Sequence, residues 1–249
     1  MSELPLHYER TVIIRARPAT VFRYLTDSGR FASWWGEGST IDARVGGTVN
    51  IVFPGGATAG GEVVAIDPGK RIVFTYGYDD PARPVARGAS RVTVTVASHA
   101  DGTSLHLLHE VADETARSQH IAGWRFQLST FANIAAREEH AAVAERIDAF
   151  LAAWSESDDA KRADALALVT TADIGFRDAY ATLSGRSELI DHIAALQRNM
   201  PGVVLRRDGD ARQCQGTVLV NWTAGPASGT NVFRLAADGR IADVVGFWK

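Results

Sequence analysis

The spacing of apolar residues changes along the chain, and each change predicts a change of architecture. Apolar and polar positions alternate in "RVTVTV" and "LHLLHE", the period-two pattern of strands with one buried face. Glycine, proline and aspartate turn signals separate several such runs between residues 39 and 110, which predicts an antiparallel meander joined by hairpins. A strand over "HYERTVIIRA" and a helix that begins at Pro18 precede this meander.

A helical pattern replaces the strands after residue 110. Gly123 is the only glycine or proline from Thr115 to Thr170, and apolar residues there recur at spacings of three, four or seven. This predicts either one long helix or two abutting helices that meet between Glu138 and Ala142. The remaining sequence predicts a helix over "ADALALV", a strand, another helix and then four strands.

Length and charge limit the class of protein. A chain of 249 residues is long for one domain, so we expect two, over residues 1–140 and 141–249. The net charge is −3 with both signs interleaved, so no basic stripe predicts a nucleic-acid partner. The sequence begins without a signal-peptide pattern and contains no apolar run of about 18 residues, so we expect a cytoplasmic protein with no membrane partner.

The sequence predicts neither a cofactor nor a metal site. Cys214 is the only cysteine, which excludes an internal disulfide and a cysteine-based zinc site, and we expect it to be a buried small apolar residue. A metal would need His109, His120 and an acid such as Asp113 to converge, which nothing in their spacing requires. Nucleotide-binding glycine patterns in a strand-turn-helix context are also missing.

Motifs spread over the first half carry a resemblance to a known superfamily. They are "RPATVFRYLTD", "WWG", "VGGTVNI", "GEVVAIDPGKRIVFTY", "VTVTV", "GTSLHLLHE" and "HIAGWRFQL". Their order over about residues 8–138 resembles the START-like (SRPBCC) superfamily, in the group named for the C-terminal domain of the activator of Hsp90 ATPase. The resemblance implies an α+β helix-grip fold, in which a curved antiparallel sheet surrounds a long helix and leaves a cavity.

The second half resembles a different superfamily. Residues 142–249 contain "FLAAWSESD", "ADIGFRDAYATLSGRSELIDHI", "MPGVVL", "VLVNW" and "FRLAADGRIADVVGFW". These are similar to the SnoaL-like branch of the NTF2-like superfamily, which implies a cone-shaped α+β domain with a pocket. Members range from ketosteroid isomerases and polyketide cyclases to cargo-binding proteins, so the fold does not fix the function.

The SnoaL-like resemblance implies the catalytic candidates. Asp178 falls where isomerases of this fold have their carboxylate general base, and Asn231 falls where they have a hydrogen-bond-donating aspartic acid. Phe150 replaces their tyrosine donor and cannot donate, which argues against ketosteroid-type isomerisation. Asp178 can instead be a turn residue that accepts backbone N–H groups, and Asn231 can face either the pocket or solvent. Four aromatic residues are candidate ligand walls or core: Phe150, Trp154, Phe176 and Trp222.

Five residues of the first half are candidates for its cavity. Trp34 and Trp35 precede Gly36 and Gly38, so one indole can close a mobile rim while the other anchors in the core, or both can simply fill the core. The remaining candidates are a histidine on an apolar strand face and a pair four residues apart on a helix, namely His109, His120 and Trp124.

Together these features predict a cytoplasmic two-domain protein that binds a small, largely apolar molecule in cavities of both domains. The alternative is a lyase, cyclase or isomerase with Asp178 as general base, so the sequence leaves enzymatic activity open. A third reading is a chaperone-cofactor-like regulator, but the chaperone-clamping domain of the eukaryotic activator has no counterpart among these motifs. The NTF2-like resemblance also implies that the protein can form a homodimer.

Overall fold

The computed structural model describes residues 3–249, which form two compact units. The first ends at Ala135 and the second is Ala136–Lys249. Each unit has its own sheet and its own apolar core. The division into domains 1–140 and 141–249 stays a prediction, because compactness does not show that either part folds alone.

The first unit is built on a seven-stranded antiparallel sheet. The strands pair in the order β1-β7-β6-β5-β4-β3-β2. Their bounds are β1 Leu6–Ile14, β2 Thr40–Ile41, β3 Thr48–Val52, β4 Thr58–Asp67, β5 Arg71–Tyr76, β6 Ser90–His99 and β7 Gly102–Val111. In β6 and β7 the predicted alternation is observed, since buried residues recur at every second position.

Three helices accompany this sheet: α1 Pro18–Arg23, α2 Ser28–Trp35 and α3 Glu114–Glu139. Trp124, Leu128 and Phe131 of α3 join the same buried cluster as Val94 and Leu105 of the sheet. This confirms the predicted α+β helix-grip architecture. The helical region does not continue as one rod, because α3 ends at Glu139 and the next helix begins at Val143.

Helix α2 is an element that the sequence analysis did not predict. The carboxylate of Asp27 accepts the backbone N–H of Arg30 at 2.9 Å and so caps its start. Gly36 ends the helix with a φ of 151°, and a methyl group there would lie 2.1 Å from the carbonyl oxygen of Val52. Gly36 is therefore required by close backbone packing.

The second unit contains a six-stranded sheet and three helices. The strand order is β10-β11-β12-β13-β8-β9, in which β13 and β8 are parallel and the other pairs antiparallel. The elements are α4 Val143–Ala153, α5 Asp159–Val169, β8 Thr170–Arg177, β9 Thr182–Ser184, α6 Gly185–Asn199, β10 Arg206–Cys214, β11 Thr217–Ala224, β12 Ala227–Leu235 and β13 Ile241–Trp248.

Irregular pairing bends this second sheet. Register shifts occur between Asp208 and Arg212 and between Arg234 and Leu235, and such bulges increase the bend and twist of a strand. A six-stranded sheet with these irregularities and three helices agrees with the predicted NTF2-like fold. The core of the second unit includes Ile147 of α4 in the same buried cluster as apolar side chains of the sheet.

The exposure of Cys214 and the character of the helices bear on two further expectations from the sequence. Cys214 is exposed at the end of edge strand β10, so the expectation that it is buried was wrong. The side chain of Cys214 faces solvent at the end of β10, which the amino-acid composition alone does not reveal. Among residues 3–249, no helix combines the length and apolar character needed to span a membrane.

Two glycine-to-alanine substitutions should change stability in opposite directions. Gly36→Ala should lower the free energy of unfolding by about 2 kcal/mol or more, because the new methyl group meets the Val52 carbonyl. Gly123→Ala should raise it by up to about 1 kcal/mol, because Gly123 is helical and open space surrounds its Cα. Urea unfolding of both variants checks the signs, and an unchanged Gly36→Ala midpoint would contradict this packing.

Candidate functional site

The second unit contains a pocket of about 410 Å³, here termed the C-terminal pocket. Its walls are mainly apolar and come from Trp154 after α4, from α6 and the loop that follows it, and from one face of the sheet. Phe176, Trp222 and Leu196 contribute the apolar surface, in keeping with ordinary small-molecule sites. Polar side chains enter this wall at only a few points.

Asp178 lies in the pocket wall, directly after β8. Its Oδ1 accepts the backbone N–H groups of Tyr180 and Ala181, both at 2.8 Å, and its Oδ2 accepts the indole N–H of Trp248 at 3.1 Å. The carboxylate thus stabilises the turn, as one reading of the sequence expected. It also lines the cavity, so its position is compatible with the other reading, which stays a prediction.

Asn231 lies in the same wall, in the middle of β12, and is 7% exposed. Its Oδ1 accepts the indole N–H of Trp222 at 3.0 Å. Because an indole nitrogen can only donate, this bond fixes the amide orientation and leaves Nδ2 as the free donor. Of the two orientations that the sequence allowed, the structure therefore has the pocket-lining one.

Gly246 separates these two polar residues. A methyl group on its Cα would lie 3.1 Å from Cβ of Asp178 and 3.2 Å from Oδ1 of Asn231. A residue larger than glycine would fill the space between them. Asp178 and Asn231 therefore both lie beside Gly246 in the wall of the C-terminal pocket.

Two polar residues of this pocket, Tyr180 and His192, were missed by the sequence analysis, and Trp248 also lines it. The imidazole of His192 packs against Trp154 and Phe176, with ring centroids 5.9 and 6.3 Å away. Its position three residues after buried Leu189 on α6 is a helical-spacing signal that could have found it.

The four aromatic candidates of the second half separate into two groups. Trp154, Phe176 and Trp222 line the C-terminal pocket. Phe150 does not, because it is fully buried in the core against Trp154 and Phe233, with ring centroids 6.2 and 5.6 Å away. The indole N–H of Trp154 is buried and has no hydrogen-bond partner among the described residues.

The first unit contains a pocket of about 390 Å³, here termed the N-terminal pocket. It lies between α3, the end of α2 and the sheet, and aromatic rings dominate its walls. These are Trp35, Phe53, Tyr76, Tyr78, Trp124 and Phe126. His120 and Gln127 of α3 add polar atoms to this lining.

The two adjacent tryptophans have different roles. Trp34 lies in the core, where its indole N–H donates to the carbonyl of Tyr24 at 3.1 Å and its ring meets Phe131 at 4.9 Å. Trp35 lines the N-terminal pocket and contacts Trp124, with ring centroids 5.5 Å apart. One indole thus anchors the helix end and the other contributes to the cavity wall.

His109 is fully buried and lies outside the pocket lining. The indole N–H of Trp124 donates to its Nδ1 at 2.9 Å, so Nε2 carries the proton and donates to Oγ of Ser90 at 2.8 Å. Burial, with a smaller contribution from His120, lowers the pKa of His109 to about 3. With both nitrogens committed, His109 cannot take a proton from Ser90 and has a structural role.

His120 differs from His109 because one of its nitrogens is unpartnered. Its Nδ1 lies 2.6 Å from the carbonyl oxygen of Ala116 and must therefore carry the donated proton. Its Nε2 is a buried acceptor without a partner among the described residues. Burial lowers the pKa of His120, only partly opposed by the bond to Ala116. Within residues 3–249, no cluster of three His, Cys, Asp or Glu side chains is arranged to hold a metal ion.

A known protein family matches most of the first unit. Residues 15–136 match the model of the family described as Activator of Hsp90 ATPase homolog 1-like protein, AHSA1. The first half of the chain thus resembles this family, and its unit is termed AHSA1-like below. This match covers just under half of the sequence and confirms the predicted resemblance of that half. A comparison with curated proteins finds no significant match.

Several solved structures are similar to about half of this chain. An AHSA1 protein from Silicibacter pomeroyi is 26% identical and covers 51% of this chain and 95% of its own, with a TM-score of 0.42. A SnoaL-like family protein from Agrobacterium tumefaciens is 24% identical, with coverages of 45% and 98% and a TM-score of 0.41. The Aha1 dimer from Colwellia psychrerythraea is 18% identical, with coverages of 49% and 90% and a TM-score of 0.43.

Buried His109 of the AHSA1-like unit should make the free energy of unfolding depend on pH. Unfolded His109 takes up a proton near pH 6.5, whereas the folded form resists protonation to about pH 3. Between these values the unfolded state binds the extra proton, so stability falls as pH decreases, by about 1.4 kcal/mol per pH unit.

His109→Gln should remove this contribution while keeping an acceptor for Trp124 and a donor for Ser90. Comparing denaturant unfolding of the wild type and this variant across the same pH range cancels the contributions of other groups. Parallel stability curves for the two proteins would show that His109 is not held neutral.

Proposed function

We propose that this protein binds a small, largely apolar molecule, and that the C-terminal pocket is its principal site. The observation that carries the proposal is the convergence of Asp178 and Asn231 at one end of an otherwise apolar cavity. Such a combination of apolar walls and a few oriented polar groups is typical of ligand sites. The expected cytoplasmic location and the binding capacity of the AHSA1-like unit are part of the same proposal.

The unpartnered polar atoms indicate what the ligand should carry. Asn231 Nδ2 has no protein acceptor among the described residues, so it can donate to an oxygen or nitrogen of a ligand. Asp178 can accept a further hydrogen bond from a hydroxyl or N–H group. A ketone, ester or alcohol on a mainly hydrocarbon skeleton satisfies this pattern.

Native mass spectrometry of the freshly purified full chain should detect a bound small molecule. Asn231→Leu should reduce its occupancy about tenfold or more, because the side chain keeps its size and loses its hydrogen bonds. Asn221→Leu is the matched control, since Asn221 lies on the adjacent strand with its side chain on the opposite sheet face.

Thermal unfolding of both variants establishes that each is folded. A bound molecule that Asn231→Leu and Asn221→Leu retain equally would contradict the assignment of the C-terminal pocket. Failure to detect any bound molecule, in both purified protein and a ligand-library titration, would contradict the binding function itself.

A second candidate function is proton transfer at a ligand carbon next to a carbonyl group, as in an isomerase, cyclase or lyase. The observation that favours it is that Asp178 and Asn231 flank the same gap beside Gly246, so one can accept a proton while the other donates to an oxygen. His192 lies in the same pocket.

Hydrogen–deuterium exchange into the ligand separates binding from this catalysis. Incubation in heavy water should label a carbon position of the co-purified molecule, and Asp178→Asn should slow labelling at least about a hundredfold while the molecule stays bound. Asp164→Asn, an exposed acid outside the pocket, is the control. Equal labelling with Asp178→Asn would exclude this carboxylate as the base.

Two expectations from the sequence remain separate hypotheses. A homodimer is tested by sedimentation of the full chain. A chaperone-cofactor role predicts altered chaperone ATPase turnover on addition of this protein, and an unchanged turnover would remove it.

A further inference from the structure

Exposed aromatic rings mark the mouth of the C-terminal pocket. Tyr180 and Trp248 line this pocket and are 77% and 45% exposed, whereas Trp222, which also lines it, is buried. The three rings pack edge to face in a row, with centroids 5.3 Å apart from Tyr180 to Trp248 and 5.0 Å apart from Trp248 to Trp222. Exposed apolar surface at a cavity is typical of ligand-binding grooves.

The carboxylate of Asp178 is bonded to the outer two residues of this row. Its Oδ2 accepts the indole N–H of Trp248 at 3.1 Å, and its Oδ1 accepts the backbone N–H of Tyr180 at 2.8 Å. Asp178 also lines the same pocket. A carboxylate and two exposed aromatic rings therefore meet at the pocket mouth.

Asp178 has hydrogen-bond donors but no counter-charge. Its donors are all neutral N–H groups. The preceding residue, Arg177, pairs instead with Asp243 at 3.1 Å, and no ion pair joins Asp178 to a basic side chain among residues 3–249. Within the described chain, no Arg or Lys lines the pocket. The lining therefore carries one acid and no basic side chain to balance it, apart from the imidazole of His192.

A carboxylate beside aromatic rings is suited to an organic cation. An ammonium group is attracted to the faces of aromatic rings, and its N–H groups make charge-assisted hydrogen bonds to a carboxylate. An anionic ligand would meet the charge of Asp178 with no Arg or Lys in the lining to offset it. The remaining walls suit a hydrocarbon skeleton, because they include the rings of Trp154 and Phe176.

We infer that the C-terminal pocket binds a protonated amine on a largely apolar skeleton, with the ammonium group held between Asp178 and the rings of Tyr180 and Trp248. This inference rests on the proposed binding function and names the charged group of its ligand. The acceptor that meets Asn231 belongs to the same molecule. In this complex Asp178 is a counter-ion, which replaces the role of general base in the second candidate function.

Isothermal titration of the full chain with tryptamine and with tryptophol tests the ligand class. Both probes carry an indole and an ethyl chain, which ends in an ammonium group in tryptamine and in a hydroxyl group in tryptophol. Tryptamine should bind about tenfold or more tightly, and added salt should weaken tryptamine binding alone. Equal affinity for the two probes, tighter binding of tryptophol or no binding of tryptamine would overturn the inference.

Asp178→Asn and Tyr180→Leu locate the site. Asp178→Asn should weaken tryptamine binding about tenfold and change tryptophol binding less than about twofold, because the amide keeps the size of the side chain and loses its charge. Tyr180→Leu should weaken tryptamine binding about twofold to fivefold, and the exposure of this ring makes the variant safe for folding. Asp164→Asn, an exposed acid outside the pocket, is the control for net charge.

Thermal unfolding establishes that each variant is folded. If Asp178→Asn weakens both probes equally, Asp178 only stabilises the turn and the inference is contradicted. If tryptamine and tryptophol bind equally while a co-purified molecule still depends on Asn231, the inference fails and the proposed function of the C-terminal pocket stands.

Discussion

The hydrogen-bonding requirement of buried indole groups organises both units. An indole N–H donates and cannot accept, so each buried tryptophan either finds an acceptor or leaves its donor unpaired at a cost of about 1–3 kcal/mol. The chain has six tryptophans. Trp34, Trp124 and Trp222 are buried and donate to protein acceptors, as does the exposed Trp248. The indole N–H groups of Trp35 and Trp154 are buried without a partner among the described residues.

The paired indoles orient the polar side chains to which they donate. Trp222 and Trp248 orient Asn231 and Asp178, so the wall of the C-terminal pocket carries an oriented amide and an oriented carboxylate. In the first unit the indole N–H of Trp124 donates to His109 and holds it in one neutral tautomer, so this histidine has a structural role. Polar groups available to a ligand are consequently few and of known direction, and such preorganisation favours selective binding.

Local patterns in the sequence predict the architecture, whereas the partners of the polar side chains depend on long-range contacts. Period-two alternation predicted β6 and β7, and helical spacing predicted the long helix α3. Helix α2 was missed because it has only eight residues, and its cap and its terminal glycine are recognised through tertiary contacts. The motif positions of Asp178 and Asn231 placed them at the second cavity, but no local signal indicated that Trp248, next to the last residue, would bind Asp178.

The most direct test of this account is the set of six indole N–H resonances in the full chain with isotope-labelled tryptophan, each assigned by its Trp→Phe variant. Titration with the small-molecule fraction extracted from the expression host should shift the resonances of Trp154, Trp222 and Trp248, whose side chains line the C-terminal pocket, more than that of Trp34, which lies in the core. A shift confined to Trp34, or none at all, would contradict the claim that the C-terminal pocket is a ligand site.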